Sequence, residues 1–147
     1  MVERVTSLQV AKLAGVSQSA VSRVFTPGAS ASSKTMLKVR AAAIELGYRP
    51  NILARSLITG KSRIIGLVVA YLDNYFYPVA LEKLSNALQT LGYHVLVFMA
   101  SNDTESTDHV IDGLLDYQVD GIIAASVSIS SDLTARCEAA GVPVVLF

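Results

Sequence analysis

Gln18, Ser19, Ser22 and Arg23 fall close together in the stretch AKLAGVSQSAVSRVF, residues 11–25. They are hydrogen-bond donors and acceptors with no acid among them. Arg can give two parallel hydrogen bonds to guanine, Gln can pair with adenine, and Ser can reach either a base edge or a phosphate. Helices that serve only to cover a core expose long Glu and Lys side chains, so this set is suited to touching a hydrogen-bonding surface. The alternative reading is the solvated face of a small bundle.

The elements that must present these groups follow from local signals. Thr6 and Gln9 form a capping-box pair, predicting a helix from Ser7 through Leu8, Val10, Ala11 and Ala14 that stops at Gly15. Ser17 caps a second helix whose Val21, Val24 and Phe25 recur at helical spacing, with Val16 at its start. After the turn TPGASASS, Ser32 or Ser33 caps a third helix, with Leu37, Ala41 and Ile44 on one side and Val39, Ala42, Ala43 and Leu46 on the other. A helix, a tight Gly turn and a second helix with exposed short polar groups is a helix-turn-helix unit, whose second helix enters the major groove. Asn51 can cap a further two-turn helix ending before Gly60, too short to be stable alone in water.

Beyond Arg63 the period changes. IIGLVVA, HVLVFMA, GIIAAS and PVVLF read as strands, separated by helices over Pro78–Leu91, Thr104–Tyr117 and Leu133–Ala140. Such alternation predicts βαβ crossovers and a parallel sheet covered on both faces. The fold class is therefore an all-α helix-turn-helix domain followed by the start of an α/β domain. Ligands of open α/β sheets bind at the carboxyl ends of the strands. That rule gathers YLDNYF, SND and SVS around one site, where Asp73, Asn102 and Ser126 can hydrogen-bond to a sugar or similar polar ligand. Each of these loop residues also has an ordinary turn role open to it.

Charge separates the halves. Residues 1–63 hold ten Lys and Arg against two acids, 10 − 2 = +8, and residues 64–147 hold two against ten, 2 − 10 = −8, so the net charge of zero conceals opposite partners. One module is built for a polyanion and the other is not. The longest apolar run, residues 64–72, is half of the ~18 residues a membrane span needs. Glu3, Arg4 and Lys12 leave no apolar signal core at the start, which predicts a cytoplasmic protein without membrane contact. Cys137 is the sole cysteine, excluding an internal disulfide and a Cys-based metal cluster.

Enzyme signatures are lacking. There is no GxGxxG after a strand, no GxSxG and no GxxxxGK[ST]. His94 and His109 have no companion at metal-ligand spacing, and Asp73 lacks the paired acidic site of a phosphoacceptor. No catalytic residue, metal or cofactor is expected.

VTSLQVAKLAGVSQSAVSRV, then SSKTMLKVRAAAIELGYRPNILARSL, then IIGLVVA, resembles the amino-terminal part of the lactose-repressor (LacI/GalR) family of bacterial transcriptional regulators across the whole chain. The resemblance implies a repressor that binds a pseudo-palindromic operator as a homodimer, under control of a small sugar-like effector held in a core of periplasmic-binding-protein type. It places Gln18 and Ser19 on the two main base-reading positions and Arg23 on a base and backbone contact. Thr6, Ser17, Ser22, Ser32 and Thr35 join them as DNA contacts. It makes residues 49–63 a hinge that turns helical on operator DNA, with Asn51 and Ala54 beside Leu57, the residue levered between central base pairs of the minor groove. The alternative for Leu57 is packing on the chain's own core. Tyr75 and Phe76 match effector-contacting positions. The implied organisation is a DNA-binding domain over 1–48, the hinge over 49–63, and an incomplete first lobe of the effector domain over 64–147, so that the chain reads as a fragment. The chain departs from the family pattern at Gln9, usually acidic, and in its longer TPGASAS turn. A sugar-binding protein of the same α/β core without DNA function is the competing reading.

Overall fold

The computed structural model describes residues 4–101 and 103–147, and all of their side chains except that of Ile52. The chain divides into two compact units, the first ending at Asn51 and the second beginning at Ile52.

The first unit is three helices, α1 (Ser7–Ala14), α2 (Gln18–Phe25) and α3 (Ser33–Leu46). Thr6 Oγ1 accepts the Gln9 N–H while Gln9 Oε1 accepts the Thr6 N–H, so the capping box forms. Gly15 ends α1 at φ 65°, a left-handed conformation that a Cβ would strain. Ser17 and Ser32 cap α2 and α3. Val10, Ala11, Ala14, Val21, Val39, Ala42 and Ala43 are buried together, and the Phe25 and Tyr48 rings pack at 5.7 Å beside them.

One side of α3 departs from the sequence reading. Leu37 and Ile44 are 72% and 82% exposed, and Ala41 is exposed between them. A unit of about fifty residues has only one small core to offer. The small Ala42 and Ala43, flanking Val39, admit the close helix approach that the bulkier Leu37–Ile44 side would prevent.

The second unit begins with α4 (Ile52–Thr59) and continues β1 (Ile64–Val69), α5 (Phe76–Thr90), β2 (His94–Met99), α6 (Thr104–Asp116), β3 (Gly121–Ala125), α7 (Ser131–Ala139) and β4 (Val144–Leu146). The strands form one parallel sheet in the order β2-β1-β3-β4, with Leu67 level with Val97 on one side and Ile123 on the other. The order reverses between β1 and β3. The loops that follow these two strands therefore flank a topological switch point, where open α/β sheets hold ligands.

Ile64, Val68, Ile111, Leu114, Ile122, Ala124, Leu133 and Cys137 form the larger core, under α6 and α7. Removal of each large aliphatic side chain from water contributes about 1.5–3 kcal/mol. A Cβ on Gly66 would lie 2.8 Å from Leu114 Cδ1, so α6 crosses β1 where only glycine leaves room. The opposite face is thinner than expected. Leu67, Val69 and Ala125 are buried there beneath Tyr77, Leu81 and Leu84 of α5, but Val97, Met99 and Val145 stay half exposed because one helix cannot span four strands.

Helix α5 starts at Phe76, two residues before Pro78. Asn74 Oδ1 accepts the Phe76 N–H at 3.0 Å, and Pro78 then sits in the first turn, where its missing donor costs nothing. No helix among the described residues is long and apolar enough to cross a membrane.

Candidate functional site

Gln18, Ser19, Ser22 and Arg23 are all exposed on α2, while Val21 on the same helix is fully buried. The helix therefore holds its polar face away from the core through Val21, with Val24 and Phe25 packed beside it. Arg23 Nε reaches the Ser19 carbonyl at 3.5 Å, the long limit of a hydrogen bond, so the guanidinium keeps its capacity to donate elsewhere. Ser17 Oγ and Ser19 Oγ lie 3.0 Å apart. Gln18 Nε2 donates to Ser7 Oγ at 2.8 Å, which joins the first residues of α1 and α2.

Two of the three cap hydroxyls have a second use. Thr6, Ser17 and Ser32 each accept a backbone N–H from within their helix, at 3.3, 3.2 and 3.2 Å. All three residues are exposed; the Thr6 hydroxyl proton is given to Gln9 Oε1 at 3.3 Å, whereas the Ser17–Ser19 and Ser32–Thr35 hydroxyl pairs each keep one proton to donate outward. The arrangement leaves the starts of α2 and α3 able to meet phosphate oxygens. Ser32 Oγ and Thr35 Oγ1 are 2.9 Å apart, so these two act as a pair.

Arg4, Lys12, Arg23, Lys34, Lys38, Arg40 and Arg49 are exposed on the first unit. Among the described residues the only ion pairs are those of Arg136 with Asp112 and Asp132, on the second unit. Among the described residues, no ion pair neutralises the cations of the first unit. Arg63 is the exception among the cations counted before β1: its guanidinium donates to the Leu91 carbonyl at 3.3 Å and lies 5.7 Å from the Tyr93 ring centre. It works inside the α/β unit.

Helix α4 wears its polarity inside out. Ser56 is buried and donates to the Leu53 carbonyl at 2.7 Å, while Leu53, Leu57 and Ile58 are exposed, Leu57 by 74%. Ala54 and Asn51 are exposed too. A cleft of about 450 Å³ lies beside this helix, lined by Leu57, Gly60, Leu115, Gln118 and Gly141 among others. Three of its polar lining residues, Ser56, Ser62 and Asp120, are engaged in internal hydrogen bonds. It sits at the amino ends of the strands, the wrong end of the sheet for a ligand of this architecture.

At the carboxyl ends, Asp73 and the 87%-exposed Tyr75 lie in the loop after β1, with Phe76 at the head of α5. Ser126 follows β3 at φ 52°, unusual for a residue with a Cβ, and its N–H donates to the Phe147 carbonyl at 3.0 Å. Asn102 lies outside the described residues. The early start of α5 turns Tyr77 inward, and its hydroxyl is hydrogen-bonded to Ser126 Oγ across the switch point. Tyr71 and Phe76 pack edge-on against the Tyr77 ring, both at 5.4 Å. The family resemblance points to Tyr75 and Phe76 and not to Tyr77, whose role depends on where the helix begins. Asp103 caps α6: the Ser101 hydroxyl and the Ser106 N–H hold its carboxyl below the usual carboxylate range. Burial pushes the Cys137 thiol up.

Two family models match the chain. "Bacterial regulatory proteins, lacI family" covers residues 8–51, and "Periplasmic binding proteins and sugar binding domain of LacI family" covers 62–147. The sucrose operon repressor of Streptococcus mutans is 37% identical over 147 residues, all of this chain and 44% of that protein. Catabolite control protein A of Staphylococcus aureus is 32% identical over 97% of this chain and 43% of its own length. The chain thus spans less than half the length of these relatives. A crystal structure of the lac repressor dimer bound to operator and the anti-inducer ONPF superposes with a TM-score of 0.81 at 31% identity, covering 98% of this chain and 44% of that one.

Proposed function

The chain belongs to the LacI family of bacterial regulatory proteins, and from that premise we propose that it is a sequence-specific, operator-binding transcriptional repressor controlled by a sugar-like effector. The observation that carries the reading is the face of α2, where Gln18, Ser19, Ser22 and Arg23 project from a helix anchored by buried Val21 on a unit of exposed positive charge. Residues 1–48 read DNA, 49–63 form the hinge and 64–147 supply the first lobe of the effector domain. Gln18, Ser19 and Arg23 reach base edges in the major groove, while Thr6, Ser17, Ser22, Ser32 and Thr35 position the unit on phosphates.

The reversed polarity of α4 supports the hinge reading. Two copies in a homodimer pair these helices over the minor groove, Asn51 and Ala54 lie alongside, and Leu57 enters between base pairs. Unstacking a step costs a few kcal/mol and is offset by the surface that bent DNA brings into contact. The effector lies over the switch point, held by Asp73, Tyr75, Phe76, Asn102 and Ser126. The protein acts in the cytoplasm by binding and not by catalysis, without metal or cofactor. Footprinting on the chain's own upstream region tests the reading: a protected pseudo-palindrome supports it. Uniform weak binding to all fragments would leave a sugar-binding core as the better account.

A further inference from the structure

We infer that Ser7 is a positioning residue for base reading, orienting the Gln18 carboxamide so that α2 selects adenine. This deepens the reading of α2 as the base-reading helix and rests on it. The carrying observation is the 2.8 Å bond from Gln18 Nε2 to Ser7 Oγ, which links two residues eleven positions apart across the turn.

Neither helix needs this bond. Helix α1 is capped by Thr6 and Gln9, and α2 by Ser17, so the Ser7 hydroxyl has no part in ending or starting a helix. Gln18 is exposed, and an exposed glutamine samples several rotamers, its terminal amide free to turn end for end. Ser7 is half buried on the neighbouring helix and offers a fixed partner. Tethering Gln18 there removes rotamer freedom before DNA arrives, which lowers the ordering cost of binding.

The direction of the tether carries the specificity. A carboxamide has two N–H donors and one oxygen acceptor. With one N–H given to Ser7, the groups left for DNA are one N–H beside Oε1, complementary to adenine N7 and N6–H in the major groove. Turned the other way, with Oε1 on the Ser7 hydroxyl, the amide would present two donors, the complement of guanine N7 and O6. A serine hydroxyl can hold either end of a carboxamide; in the structure it holds Nε2, and in that orientation Gln18 presents the adenine-reading pair.

The test is binding-site selection from a randomised DNA library by the whole chain and by variants carrying Ser7→Ala, Ser7→Thr and Gln18→Ala, each checked by thermal melting. The inference expects one base pair at which the unaltered protein requires adenine, a requirement lost in Gln18→Ala. Ser7→Ala should reduce the adenine-over-guanine preference there by about fivefold, the lower end of what one bidentate contact confers, with other positions unchanged. Ser7→Thr should keep it. An unchanged profile for Ser7→Ala beside an altered one for Gln18→Ala would overturn the role of Ser7 and leave α2 as reader. Equal weakening on all sequences would make Ser7 a phosphate or folding contact and overturn it likewise. No effect of Gln18→Ala at any position would remove Gln18 as a reader, and the inference with it.

Discussion

Asp120 Oδ1 accepts both the backbone N–H and the hydroxyl of Ser62, at 2.9 and 3.1 Å. Its Oδ2 takes the Arg63 N–H at 3.1 Å, and Arg63 sits at φ 56°. One carboxylate from the loop before β3 thereby fixes the turn through which α4 runs into β1. Ser62 is 2% exposed at the edge of the cleft, so removing the carboxylate leaves its N–H and hydroxyl without their protein acceptor. Asp120→Ala should cost about 1–3 kcal/mol in urea unfolding. Asp120→Asn, which keeps an acceptor at Oδ1, should recover part of it. An alanine variant as stable as the parent would show that the clamp is dispensable.

Leu57 is expected to behave in the opposite way. With 74% of its surface exposed, Leu57→Ala should leave the melting temperature of the free protein nearly unchanged and, on the proposed role of Leu57 as a minor-groove wedge, weaken operator binding. A large loss of stability with DNA affinity intact would return Leu57 to the core.

Gly66 tests the crossing of α6 over β1. An alanine there must push Leu114, which is fully buried and cannot swing to solvent, so Gly66→Ala should destabilise by about 1–3 kcal/mol through overpacking. Adding Leu114→Val should relieve part of the strain, and a double variant no better than the single one would place the cost elsewhere.

Asp103 gives the acid limit of the α6 cap. Its pKa is lowered by the Ser101 hydroxyl and the Ser106 N–H, so its contribution is complete above the ordinary carboxylate range and is lost as pH falls through the lower folded value. Between pH 7 and 5 the cap should contribute a constant amount, and Asp103→Asn, which keeps an acceptor, should flatten the decline in melting temperature below pH 4. A decline equally steep in the variant would assign it to other carboxylates.

The helix-turn-helix was legible because its signals are local. Thr6 with Gln9, Gly15 and Ser17 each act over one turn, and the βα alternation is a change of period along the chain. What escaped was long-range or depended on phase. Ser7 and Gln18 meet across eleven positions, and Asp120 and Ser62 across 58, with no motif joining either pair. Tyr77 faces Ser126 only because Asn74 starts α5 two residues before Pro78. Apolar residues lie all round α3, so spacing alone gave no reason to prefer Val39 over Leu37; the close approach that Ala42 and Ala43 permit decided it.

The most direct measurement of the central claim compares Arg23→Ala on operator and on random DNA at several salt concentrations. If the Arg23 guanidinium reads a base edge, the operator complex should lose about 1–3 kcal/mol while random DNA is bound almost as before. Lys38→Ala should instead weaken both alike and reduce the salt slope by about one. Equal loss of operator and random DNA in Arg23→Ala would contradict the account, because α2 would then be holding phosphate and not reading sequence.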